Sequence, residues 1–62
     1  MTKYAIKLNG DLIKIVDSRK EATLILRNHI QNNNTECIGT EDFSNANTYF
    51  LENGDEISIV KV

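Results

Sequence analysis

Two Asn-Gly dipeptides, at 9–10 and 53–54, each separate two runs of apolar residues spaced for strands. Both residue types accept the positive φ of a type I′ turn, so the flanking runs are set up to pair as antiparallel hairpins. In the first, Tyr4, Ile6 and Leu8 alternate with Ala5 and Lys7, the period of two of a half-buried strand. A two-residue loop places Leu8 opposite Asp11, Ile6 opposite Ile13 and Tyr4 opposite Ile15 on one apolar face. Lys7 with Leu12, Ala5 with Lys14 and Lys3 with Val16 take the other face. The second hairpin joins the run 47–51 to the run 57–62. Residues 9–16 and 53–60 share the pattern N-G-D-x-I-x-I-V. Ile57 and Ile59 therefore take the places of Ile13 and Ile15 and face the core with Phe50, leaving Tyr49, Leu51 and Val60 outside.

Between the hairpins the period changes. Ser18 can cap the Glu21 amide and Glu21 can return the bond, a capping box that starts a helix. No Gly or Pro interrupts the chain from Ser18 to Gln31. At 100° per residue Ala22, Ile25, Leu26, His29 and Ile30 form one stripe, with Lys20, Leu24, Arg27 and Asn28 opposite. Asn32-Asn33-Asn34 ends the helix, because Asn tolerates the left-handed conformation that follows a helix C-terminus. Thr35–Thr40 has the makings of a short extra strand around Cys37 and Ile38, and 41–45 reads as a loop or a single helical turn. The expected core is Ile6, Ile13, Ile15, Ile25, Leu26, Ile30, Phe50, Ile57 and Ile59.

These elements predict an α+β domain in ββαββ order, one helix on a four-stranded, mostly antiparallel sheet, with the optional strand at 35–40. Tyr4-Ala5-Ile6-Lys7-Leu8-Asn9-Gly10 and this layout resemble the immunoglobulin-binding domain of protein G, a β-grasp fold. The resemblance implies a topology in which the first and last strands pair in parallel at the sheet centre. It covers about one strand and turn plus element order, and it implies no antibody binding.

Chain size limits the chemistry. Sixty-two residues make one domain, 1–62, and a domain this short buries only about 60% of its unfolded surface. With Cys37 as the only cysteine, no internal disulfide can add stability, which fits a reducing cytoplasm. Cys37 reads as a small buried apolar residue. His29 and Cys37 are the only soft ligands, too few for a tetrahedral zinc site. No nucleophile–base pair surrounds His29, and the glycines form no phosphate-cradling loop. Catalytic, cofactor-binding and metal-binding residues are accordingly expected to be none. No apolar run approaches the roughly 20 residues of a membrane span, and Met1-Thr2-Lys3-Tyr4 does not open a secretory signal.

Charge is unevenly spread. Residues 1–31 carry six basic and three acidic side chains, and 32–62 one basic and six acidic. Such asymmetry can steer partners or align protomers. Lys3, Lys7 and Lys14 could touch phosphates, but the net charge is only −2 and just two arginines accompany them. The outer sheet face instead interleaves lysines with apolar groups, which suits a protein interface. Its candidate residues are Lys3, Lys7, Leu12, Lys14, Tyr49, Leu51 and Val60. Phe, Tyr, Met, Ile, Asn and Lys total 26 residues against 8 of Gly, Ala, Arg and Pro, a bias towards AT-rich codons. The expectation is a small cytoplasmic binding protein of phage or mobile-element origin, acting in the host cytoplasm if viral. It would bind and inhibit a host protein such as a nuclease, toxin or defence enzyme. Self-association as a homodimer is the other use of that face, and a nucleic-acid-binding regulator is the alternative class.

Overall fold

A computed structural model describes residues 2–62. The chain forms β1 (Tyr4–Leu8), β2 (Asp11–Val16), α1 (Arg19–Asn32), β3 (Cys37–Asp42), β4 (Ala46–Leu51) and β5 (Glu56–Lys61). The fold is α+β in ββαβββ order, with a five-stranded sheet arranged β2-β1-β5-β4-β3. Every neighbouring pair is antiparallel. The optional strand therefore exists, as β3 at one edge, and it absorbs Glu41 and Asp42. It also corrects the β-grasp expectation. One added strand after the helix reverses the direction of the last, so β5 runs antiparallel to β1 rather than parallel.

The first hairpin turns as its sequence dictates. Asn9 and Gly10 both adopt positive φ, 51° and 90°, and Leu8 pairs with Asp11. Between Ile6 and Lys7 the register slips: Lys7 still faces Leu12, but Ile6 faces Lys14, Ala5 faces Ile15 and Tyr4 faces Val16. Ile13 is the extra residue of a β-bulge. One inserted residue flips everything beyond it to the other side. Val16 enters the core at 4% exposure, whereas Ile13 and Ile15, expected there, stand about half exposed.

The second Asn-Gly takes a different turn. Gly54 N donates to Leu51 O, Leu51 N donates to Asp55 O, and only Gly54 has positive φ, 99°. This is a three-residue loop closed by a left-handed glycine, not a type I′ turn. Asn53 Oδ1 accepts from the Asp55 amide, a local bond that suits this turn. The longer loop pairs Tyr49 with Ile57 and Phe50 with Glu56. Tyr49 and Leu51, expected outside, thus face the helix, and Phe50, expected in the core, faces away from it.

The helix fits its pattern. Ser18 Oγ accepts from the Glu21 amide at 3.2 Å, although among the described residues Glu21 makes no return bond. Asn33 caps the other end, its amide and side chain both donating to His29 O, and Asn34 is left-handed at φ 49°. Ala22 and Leu26 are buried with Ile6, Val16, Leu51, Ile57 and Ile59, and Ile25 and Ile30 flank that core. A second bulge, at Ile38, displaces the start of β3. On this irregular edge Cys37 is exposed, not buried, its Sγ donating to Gly39 O.

Candidate functional site

Cross-strand register assigns the two faces of the sheet, since directly opposite residues project to the same side. The helix occupies the side of Ile6, Ile57 and Ile59. The other side bears no element of the described chain, and three rows of residues cross it. The first is Ile15, Ala5, Val60 and Ala46; the second is Leu12, Lys7, Ser58, Thr48 and Glu41. The third is Glu56, Phe50 and Gly39.

The first row is wholly apolar. Ala5 lies between Ile15 and Val60 on a central strand and is 4% exposed even without a covering layer. In the second row Thr48 and Ser58 share a hydroxyl hydrogen bond of 3.2 Å. A glycine at 39 leaves room beside Phe50, whose Cδ2 would lie 3.9 Å from an added Cβ. Charge is graded across the face, with Lys7 towards the β2 edge and Glu41 and Glu56 towards the β3 side.

Of the residues expected on this face, Lys7, Leu12 and Val60 are there. Lys3 precedes β1, and its Nζ lies 3.8 Å from Asp17 Oδ1. Lys14 stands opposite Ile6 on the helix side of an edge strand. Leu51 is buried in the core, and the Tyr49 hydroxyl accepts from Arg19 at the helix start. The three lysines therefore do not form one row. Ile15, Ala46 and Phe50 belong to the face and were missed. A local cue existed for Phe50 alone, in the capacity of Asn53 to bond the Asp55 amide and select the longer turn.

At one end of the sheet the two Asn-Gly loops meet. Asn9 Nδ2 donates to Asp55 Oδ1, Asn9 Oδ1 accepts from the Glu56 amide, and Thr35 Oγ1 accepts from the Asn53 amide. His29 Nε2, half-buried as its place on the apolar stripe implied, approaches Asp55 Oδ2 to 3.5 Å. That is within ion-pair reach, yet the nitrogen makes no hydrogen bond. The Asn9 amide, with smaller help from His29 and Asn53, holds the Asp55 carboxyl below its ordinary range against the opposing effect of burial. This cluster ties loops together and presents no nucleophile.

Among the described residues no group of His, Cys, Asp or Glu is placed to hold a metal ion, and no helix is long and apolar enough to cross a membrane. Comparison with known protein families, with curated proteins and with solved structures finds no match.

Proposed function

We propose that this chain is a small non-catalytic binding protein that docks a folded protein partner on the outer face of its sheet. The observation that carries this reading is the uncovered apolar row Ile15–Ala5–Val60–Ala46, with Leu12 and Phe50 beside it. An antiparallel sheet face left to water is normally polar, and contiguous apolar surface tends to mark an interface. Strands about 4.8 Å apart and about 20 Å long give the five-stranded face roughly 480 Å² of flat area. A standard interface takes about 800 Å² per partner. The partner must therefore cover the whole face and its charged rim, matching Lys7 on one side and Glu41 and Glu56 on the other. Inhibition of a host nuclease, toxin or defence enzyme is the form of binding that a compact chain without a catalytic constellation suits, and a phage or mobile-element gene is its natural source.

The test compares capture from a host lysate by the wild type, by Leu12→Lys with Ile15→Lys, and by Leu24→Lys on the exposed side of the helix. All three positions are about half exposed, so each variant should fold. A partner lost only by the sheet variant supports the reading. One retained equally by all three places the interface elsewhere.

A further inference from the structure

A second site lies at the helix side of the sheet and shares only Ala46 with the docking face. An open pocket of about 220 Å³ sits where the start of α1 overhangs the ends of β1 and β5 and the turn between β3 and β4. Arg19, Lys61, Tyr4, Phe43, Asn45 and Asn47 are among its lining residues. Two of its nine lining residues are cationic and none is acidic, in a chain whose net charge is −2. Among the described residues neither Arg19 nor Lys61 makes an ion pair. Asp42, the register partner of Asn47, is bonded to the Asn47 side-chain amide and does not line the pocket.

We propose that this pocket receives a phosphoryl group. Arg19 comes from the helix and Lys61 from β5, so two cations reach the space from different elements. Arg19 is steadied by the bond from Nη2 to the Tyr49 hydroxyl, 3.3 Å, and the rest of its five-donor fork remains to grip an oxyanion. A phosphoryl group carries close to two negative charges near neutral pH and three acceptor oxygens. That matches two cations and the neighbouring amide and hydroxyl donors better than a singly charged carboxylate does. The volume is below the roughly 300–1,000 Å³ of a pocket that encloses a whole ligand. It suits the charged end of a molecule whose remainder projects outwards. Phe43, an exposed residue at the pocket's edge, offers that remainder an aromatic surface on which a nucleobase can stack. The same chemistry can come from free phosphate or from a mononucleotide.

Amide NMR of the intact chain, titrated with inorganic phosphate, adenosine 5′-monophosphate and adenosine, tests the proposal. Saturable shifts centred on Arg19, Phe43, Asn45, Asn47 and Lys61 are expected with both anions and not with adenosine alone. Arg19→Gln and Lys61→Gln should each weaken binding about tenfold, as loss of a charge-assisted hydrogen bond does. Both are at exposed positions, and unchanged melting midpoints will show that they fold. Tighter binding of the nucleotide than of phosphate identifies the nucleotide as the source, and equal binding identifies the free anion. The proposal is overturned if neither anion saturates by about 10 mM, a range in which even millimolar affinity is visible. It is also overturned if Lys3, Lys7 and Lys14 shift as much as the pocket, or if both variants bind like the wild type.

Discussion

Chemically identical side chains carry very different weight in this protein. Ile57 and Ile13 occupy equivalent places in their hairpin repeats, yet Ile57 is 1% exposed and Ile13 48%. Truncating Ile57 to alanine removes a core side chain and leaves a cavity, costing about 2–5 kcal/mol, enough to unfold much of a small domain. Ile13→Ala should cost less than about 1 kcal/mol, since surface changes seldom exceed half that. Urea denaturation of the pair checks the bulge directly, because equal losses would put both residues in the core. Asp55 is a different kind of sensitive point. Its carboxyl is held low chiefly by the Asn9 amide, so its contribution is complete above the unfolded pKa of about 3.9. That contribution fades as pH falls through the lower folded value. Asn9→Gly keeps a residue suited to positive φ but removes the amide. Carbon-detected NMR of Asp55 should then show its titration midpoint rising towards the ordinary value; an unchanged midpoint would assign the depression to other groups.

Each strand owes its facing to the irregularities as much as to its alternation. In β2, Lys14, Ile15 and Val16 keep their sides only because Ile13 is absorbed in the bulge. Deleting Ile13 should therefore leave every other residue of the strand facing as before, in an unbroken ladder. The shortened protein should fold with near-native circular dichroism and amide shifts. Its straightened edge should also self-associate more at high concentration, since bulges blunt exposed edges. Random-coil amide spectra for the deletion would refute the register. This economy also explains what was legible in the sequence. The first turn, the helix with its stripe and Ser18 cap, and the pairing of the last two strands all follow from local chemistry within a few residues. The bulges at Ile13 and Ile38 are not fixed by the pattern, because adjacent apolar pairs such as Leu12-Ile13 and Ile15-Val16 supply both faces in either register, and a one-residue slip inverts Ile15 and Val16. Likewise Asn53-Gly54 repeats Asn9-Gly10 in letters, but its asparagine bonds the Asp55 amide while Asn9 reaches across to Asp55 and Glu56. A local bond thus closes the second turn, and tertiary partners hold the first. Half of the candidate face went unseen for that reason, since Ile15 and Phe50 reach it only through a bulge and a longer loop.

Across the whole molecule, the central pair of strands is also the most distant in sequence. Tyr4 lies opposite Lys61, and the Val62 amide donates to Lys3 O at 2.9 Å. Joining Val62 to Thr2 through a short turn and opening the chain between Asn53 and Gly54 would convert that pair into a local hairpin. Such a permutant should refold faster than the parent, since rates rise as contacts become more local. Stopped-flow refolding of both chains is the check, with a slower permutant counting against a barrier dominated by closure of β1 on β5. The same arrangement sets a timetable during synthesis. Ile6 gains its neighbour Ile59 only once β5 has been made, so β1 and β2 leave the ribosome with no central partner to receive them. At about 5–20 residues per second, the stretch from Val16 to Lys61 takes roughly 2–9 s to translate. For those seconds the apolar side of the nascent first hairpin is open to chaperones, proteases and neighbouring chains, and folding becomes a single late event rather than a gradual one.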